Sequence, residues 1–204
     1  MEQPLYRFKT VKQASEAVLY KEKRSKFFGH AFPLTMEDQV KTHLEQLRKN
    51  YPKANHICYA WRMGVNGERY RTYDDGEPRN TAGAPILGQL NAFTLTNALV
   101  VVVRIFGGTK LGKGGLINAY RSTAKLAIEA SETIVSELED RYLVMIDYGS
   151  FDPLMQLVKQ HDWHIVSQKM GSVCELILGV RKQDAAKLNL LLAGMTGAKL
   201  ARMT

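Results

Sequence analysis

The sequence lacks any long apolar segment. No apolar run approaches the roughly 18 residues that a membrane-spanning helix needs, and the longest, residues 98–103, has the length of a buried strand. Residues 1–8 contain no apolar core of the kind that marks a secretory signal. Internal repeats and low-complexity tracts are also missing. We therefore expect a cytoplasmic protein with no membrane partner.

Cysteine is scarce, since Cys58 and Cys174 are the only two. Two distant thiols form no disulfide framework and predict a reduced, cytosolic chain. His56 and Cys58 alternate on a predicted strand, so they could begin a zinc site or form a nucleophile pair. Because nothing in the sequence completes either arrangement, we favour a core position for Cys58 and a surface or hydrogen-bonded position for His56. We predict no metal, no cofactor and no catalytic residue.

Positive charge is concentrated in the first two thirds of the chain. The 204 residues carry a net charge of +8. From Glu137 onward eight Lys and Arg balance eight Asp and Glu, so the preceding part holds the remaining 20 basic and 12 acidic side chains. A charge excess confined to one domain predicts a polyanionic partner there. A surplus that serves only solubility explains the composition equally well.

Apolar spacing and turn residues predict an α+β protein of two domains, residues 1–133 and 134–204, joined by a linker near 132–139. The second domain is predicted as strand, helix, two strands, helix and strand at 142–148, 152 onward, 163–169, 173–180, 184–192 and 199–203. This order is the ferredoxin-like βαββαβ plan. The first domain is predicted to have strands at 17–20, 26–32, 56–62, 70–73 and 98–106, and helices at 35–50, 85–96 and 116–131. The strand at 56–62 shows period-two character, whereas that at 98–106 is predicted to be buried on both faces.

An acidic turn, DDGEP at 74–78, follows the predicted strand at 70–73. Its carboxylates, Asp74, Asp75 and Glu77, could bind a hard cation such as Mg²⁺. They could equally pair with Arg79 or Arg104 and organise the surface, and we favour this interpretation. The small residues that follow, TAGAP at 81–85, lead into a predicted helix whose free N–H groups could hold an anion. Tight packing of a loop on the sheet is the alternative.

The glycine-rich segment from Arg104 to Gly115 contains five glycines and two lysines after a predicted buried strand. Residues 107–113 satisfy the phosphate-binding pattern G-x-x-x-x-G-K. However, Gly114 stands where Ser or Thr would hold Mg²⁺, and no strand ends in the isolated Asp that completes such a site. Nucleotide hydrolysis is therefore disfavoured. The glycine N–H groups and the side chains of Lys110 and Lys113 can still bind phosphate oxygens.

Several segments together resemble the IMPACT/YigZ family in order and spacing. They are KRSKF at 23–27, HICYA at 56–60, DDGEP at 74–78, TAGAPIL at 81–87, VVR at 102–104 leading to the glycines at 107 and 108, and LGKGGL at 111–116 continuing to Ala119 and Tyr120. The resemblance covers roughly residues 18–125. The family pattern does not require a lysine at Lys113, which lowers the weight of the P-loop pattern further.

The resemblance implies a first domain with a ribosomal-protein domain-2-like α/β sandwich, including a left-handed β-α-β crossover. It also implies a second, ferredoxin-like domain similar to the last domain of elongation factor G. Eukaryotic members act in translational control by competing for the activator of the kinase that phosphorylates initiation factor two, and they carry an added RWD domain. Because the shared segments begin within the first thirty residues here, we expect that domain to be absent. The eukaryotic partner is therefore not carried over.

We predict a protein that binds RNA, the ribosome or a translation-associated factor and regulates translation. The alternative is a hydrolase or phosphoryl-transfer enzyme with Asp74, Asp75 and Glu77 facing the 107–115 loop across a cleft, together with His56 and Arg104; binding is favoured over catalysis. The predicted binding surface comprises His56, Asp74, Asp75, Glu77, Thr81, Arg104, Gly107, Gly108, Lys110, Gly112, Lys113, Gly114, Gly115 and Tyr120.

Overall fold

The computed structural model describes residues 6–203, which form two compact units: residues 7–136, and residues 137–203 together with Tyr6. Both units contain helices packed on a sheet, so the predicted two-domain α+β fold is confirmed. The domain bounds given from the sequence, 1–133 and 134–204, stay a prediction. Among the helices of the described residues, none is long and apolar enough to cross a membrane.

The first unit is built on a five-stranded antiparallel sheet. In chain order its elements are β1 (Arg7–Val11), β2 (Val18–Glu22), β3 (Ser25–Pro33), α1 (Gln39–Asn50), β4 (His56–Met63), β5 (Arg69–Tyr73), α2 (Gly83–Ala92), β6 (Ala98–Ile105), α3 (Gly112–Glu129) and β7 (Thr133–Glu137). The strand order is β2-β3-β6-β4-β5, and β1 pairs with β7 in a separate small sheet. The crossover from β3 through α1 to β4 therefore spans the later strand β6. Its left-handed sense stays a prediction from the resemblance.

Strand β6 is the centre of the first unit because both of its faces are buried. Its sequence, ALVVVVRI, is rich in β-branched residues, which suit a buried strand. Val100 and Val102 pack with α2 and α3 on one face. Val101 and Val103 pack with α1 on the other face. The predicted burial of both faces is confirmed. Arg104 is the next residue after Val102 on the face toward α3, and it is buried there too.

The second unit has the ferredoxin-like arrangement that the sequence predicts. Its elements are β8 (Glu139–Asp147), α4 (Phe151–Gln160), β9 (His164–Lys169), β10 (Val173–Arg181), α5 (Ala185–Ala193) and β11 (Lys199–Met203). The antiparallel strand order is β11-β8-β10-β9. Val144 and Ile146 of β8 and Leu176 of β10 pack against Leu154 and Leu188 of the two helices. The βαββαβ order is therefore confirmed.

Several predicted boundaries are wrong for local physical reasons. Helix α1 begins at Gln39, not at residue 35, because the Gln39 side chain accepts the N–H groups of Thr35 and Met36 and holds a turn there. Strand β4 is buried on both faces rather than alternating, since it lies beside β6 inside the sheet. The predicted linker contains β7, whose partner β1 had no predicted counterpart.

His30 on β3 gives the first unit a pH-dependent stability. Its side chain is buried beside the Tyr51 hydroxyl, with 3.0 Å between Nε2 and the oxygen, and burial lowers the His30 pKa from 6.5 to about 4. The unfolded chain binds this proton more tightly than the folded one does, so stability is full above the unfolded pKa and falls as the pH drops toward 4. We expect the wild type to lose about 3 kcal/mol more than His30→Gln between pH 7 and pH 4. Urea unfolding at both pH values measures the difference, and parallel losses in the two proteins would contradict it.

Candidate functional site

A pocket of about 510 Å³ opens where the end of β6, the start of β4, the turn after β5 and the start of α3 meet. Six residues of the predicted surface line it together with five that the prediction omitted. The lining residues are Asn55, His56, Glu77, Pro78, Arg104, Phe106, Lys110, Leu111, Gly112, Lys113 and Leu116.

A buried ion pair lies at this pocket. The Arg104 Nη1 donates to Glu77 Oε1 at 2.6 Å, and the two side chains are only 6% and 3% exposed. The same carboxylate oxygen accepts a hydrogen bond from the Tyr120 hydroxyl at 2.8 Å. Glu77 is held in place by its own N–H, which donates to the carbonyl oxygen of Asp74 across the turn. Two charges removed from water are therefore compensated by each other and by a neutral donor.

The Arg104 guanidinium lies near two aromatic rings, with its central carbon 5.4 Å from the centroids of both Phe27 and Phe106. Phe27 is fully buried, whereas Phe106 is 42% exposed at the pocket. The Nε of Arg104 is buried and has no hydrogen-bond partner within residues 6–203. Such an unsatisfied buried donor is uncommon in folded proteins. Arg104 thus combines a fixed position with unused hydrogen-bonding capacity.

His56 connects the acidic turn to the pocket. Its Nδ1 lies 2.8 Å from the carbonyl oxygen of Asp75, and a carbonyl can only accept, so Nδ1 carries the proton. Nε2 lies 3.9 Å from Glu77 Oε1. The predicted surface or hydrogen-bonded position of His56 agrees with this geometry.

Asp74 and Asp75 have structural roles rather than positions in the pocket. Asp74 Oδ1 accepts the N–H groups of Ala82 and Gly83, and its Oδ2 accepts that of Asn80. Asp75 Oδ2 accepts the N–H of Ile57 at 2.7 Å. The idea that the N–H groups at the start of α2 are free for an anion is therefore wrong, because a carboxylate of the chain already holds them.

These contacts occupy the carboxylates of Asp74 and Asp75, two of the three that the hydrolase alternative would need. Across the described part of the chain, His, Cys, Asp and Glu side chains form no cluster of three or more that could hold a metal ion. Cys58 offers no ready nucleophile, because burial raises the pKa of its thiol, and the Glu77 charge raises it further. The thiol donates to the Asp74 carbonyl oxygen at 3.0 Å, as expected for a core cysteine.

The glycine-rich segment differs from a P-loop. Helix α3 begins at Gly112, so three of the five glycines form its first turn instead of a loop before it. Gly107 packs on the backbone of Arg24 and Ser25, and its N–H donates to Ser25 Oγ at 3.2 Å. A Cβ added at Gly114 would meet no atom of the described residues within 4 Å. Close packing on the neighbouring backbone explains why glycine stands at position 107, whereas position 114 has room for a side-chain carbon.

The remaining predicted residues do not line the pocket. Tyr120 is buried beneath Glu77, and burial raises its hydroxyl pKa. The others outside the lining are Asp74, Asp75, Thr81, Gly107, Gly108, Gly114 and Gly115. Among the residues that the prediction omitted, Asn55 joins two strands: its N–H donates to the Arg104 carbonyl oxygen and its Oδ1 accepts the N–H of Phe106. Its position immediately before β4 was the feature of the sequence that could have indicated this role.

Comparisons with known proteins match a family domain within the chain and, in two relatives, most of the chain. The model of the Impact N-terminal domain matches residues 23–128. An IMPACT family member of Haemophilus influenzae is 30% identical over 171 residues, which are 82% of this chain and 83% of that protein. YigZ of Escherichia coli, another IMPACT family member, is 28% identical over 92% of this chain and 93% of its own length.

Two further matches differ in extent. YvyE of Bacillus subtilis is 40% identical over 116 residues, and the match spans only 53% of that protein. A crystal structure described as that of a hypothetical protein is 25% identical and covers 98% of this chain and 99% of its own, with a TM-score of 0.74. The two-unit architecture is therefore shared by a solved structure over nearly its whole length.

Proposed function

The chain belongs to the IMPACT family, and from this premise we propose that its first unit binds RNA at the pocket beside α3 and acts in the regulation of translation. The observation that carries the proposal is the grouping of an exposed aromatic ring, two lysines and an uncapped helix start around one opening. RNA of the ribosome presents the same chemistry as free RNA. We place this activity in the cytoplasm, where translation takes place.

The charge distribution supports a polyanionic partner. The whole net charge of +8 lies before residue 137, and the second unit is balanced. At the pocket, Lys110 and Lys113 are exposed, and the first turn of α3 contains no acidic residue. Phosphate oxygens are bound by lysine ammonium groups and by helix N-termini.

The aromatic ring supports RNA among the possible polyanions. Phe106 is 42% exposed, and its ring centroid lies 5.4 Å from the central carbon of the Arg104 guanidinium. Single-stranded RNA is bound through bases that stack on such rings while its phosphates meet basic side chains. A ring placed beside Lys110 and Lys113 meets both requirements within one pocket.

The experiment uses a charge-reversed pair and a matched control. We expect Lys110→Glu/Lys113→Glu to weaken binding of a labelled single-stranded RNA at least about tenfold in fluorescence anisotropy. We also expect the slope of log Kd against log salt to fall by about 1.4, since each lost phosphate contact contributes about 0.7 for single strands. The control, Lys159→Glu/Lys169→Glu, changes the net charge equally at two exposed positions of the second unit. Equal retention of RNA by both variants and the wild type would remove the proposal.

A further inference from the structure

We infer that the pocket beside α3 is a site for a phosphomonoester, a terminal phosphate group carried by a nucleoside-sized body. The inference rests on the proposed function, because RNA is taken as the source of the phosphate. It adds that the end of the RNA, with its terminal phosphate, is the part that enters the pocket. A free mononucleotide offers the same chemistry.

The start of α3 supplies unused donors. The helix has 18 residues, and no side chain within residues 6–203 caps its N-terminus. The first N–H groups of an α-helix have no acceptor within the helix, and the helix dipole adds partial positive charge there. Gly112 and Lys113 line the pocket, so this helix end faces it. The contrast with α2 is direct, because Asp74 accepts the N–H groups at the start of that helix.

Arg104 provides a second, independent reason to place a phosphate in this pocket. It is 5% exposed, it lines the pocket, and its Nε has no partner in the described part of the chain. One of its other nitrogens is committed to Glu77. Arginine binds phosphate through several N–H groups at once, and charge-assisted hydrogen bonds of this type are the stronger ones. A phosphate oxygen would provide the acceptor that the Nε of Arg104 lacks among the described residues.

The charge of the lining favours a dianion. Arg104, Lys110 and Lys113 are cationic and Glu77 is anionic, which leaves two positive charges among the charged lining residues. A phosphomonoester carries between about −1.5 and −2 charges at neutral pH, whereas an internal phosphodiester carries one. The terminal group therefore matches the lining better than an internal one does.

The size and walls of the pocket indicate what carries the phosphate. Its volume of about 510 Å³ exceeds what a lone phosphate fills and falls within the usual range for small-molecule sites. Phe106, Leu111, Leu116 and Pro78 provide apolar walls. A nucleoside would place its base against Phe106 while its phosphate reaches the start of α3.

The test compares RNA ends on the full chain. We expect a single-stranded RNA with a terminal phosphate, at the 5′ or the 3′ end, to bind at least about tenfold more tightly than the same RNA with both ends as hydroxyls. The second arm is calorimetry with 5′-AMP, 3′-AMP and adenosine. We expect at least one of the two nucleotides to bind and adenosine not to bind. We expect Gly114→Asp to abolish both preferences, because its carboxylate would hold the N–H groups and repel the phosphate.

Folding of this variant is checked by its melting temperature, which should not fall, since a Cβ added at Gly114 meets no atom of the described residues within 4 Å and Asp suits a helix start. Gln46→Glu on the exposed side of α1 carries the same charge change as a control and should keep the preference. Equal binding of all RNA ends together with no nucleotide binding would overturn the inference and leave RNA binding intact. Nucleotide binding without RNA binding would support the inference and remove the proposed function, and no binding in either arm would remove both.

Discussion

Replacing Arg104 with leucine is expected to lower the free energy of unfolding by about 3–5 kcal/mol, because Glu77 would remain buried without its cation. Among the described residues, the Tyr120 hydroxyl would then be the remaining close donor to this carboxylate, at 2.8 Å. The loss should be visible as a lower midpoint in urea unfolding with an unchanged slope.

Two further variants make this test specific. In Glu77→Leu/Arg104→Leu no buried charge is left unpaired, so we expect it to recover about half of the loss or more. Arg48→Leu breaks a 3.6 Å pair with Asp75 in which the arginine side chain is 65% exposed, and it should cost less than about 1 kcal/mol. A single Arg104→Leu variant as stable as Arg48→Leu would show that the buried pair contributes nothing beyond an exposed one.

Gly107→Ala is expected to destabilise the first unit by about 3 kcal/mol, since an added methyl group would overlap the backbone of Arg24 and Ser25. That backbone belongs to the turn between β2 and β3, where Lys23 and Arg24 both have positive φ, at 42° and 68°. A rigid turn of this type cannot move away as the end of a side chain would.

Gly114→Ala provides the matched control on the same segment. Its methyl group would lie in the first turn of α3 and would meet no atom within 4 Å in the part of the chain that the structure describes. Alanine suits a helix better than glycine by about 0.5–1 kcal/mol, so this variant should be slightly more stable than the wild type. Thermal and urea unfolding of the two variants in parallel separate the contributions, and similar midpoints for both would contradict the packing role of Gly107.

The elements that the sequence predicted well are those with a strong apolar pattern. The buried run of β6 and the βαββαβ order of elements in the second unit follow from composition and spacing. The pair β1 and β7 was missed because each is a five-residue strand of mixed polarity, and their partners lie more than a hundred residues apart in the chain. Such a pairing has no local signal.

The start of α3 could not be predicted from local preferences. Glycine is among the poorest helix formers, so Gly112, Gly114 and Gly115 argue for a loop by propensity alone. In the structure the helix extends through them, and its buried face, which includes Leu116 and Tyr120, packs in the core of the first unit. Tertiary packing overrides propensity here.

The roles of the acidic residues also needed the fold. Asp74, Asp75 and Glu77 have the same chemistry in the sequence, and all three were expected on one surface. Asp74 and Asp75 accept backbone N–H groups, whereas Glu77 pairs with Arg104 at the pocket. Only the positions of the donors, set by strands and helices distant in sequence, distinguish these roles.

The place of β6 in the sheet also sets the order in which the first unit can be completed during synthesis. β6 is the last strand of the five-stranded sheet to be made, yet it lies between β3 and β4, which leave the ribosome earlier. Until residues 98–105 emerge, β3 and β4 have no shared neighbour, and apolar side chains such as Phe27 and Trp61 lack their partners. Completing the sheet is consequently a late step that joins strands distant in sequence. Such steps are slow, and they require that the nascent chain does not first form non-native contacts.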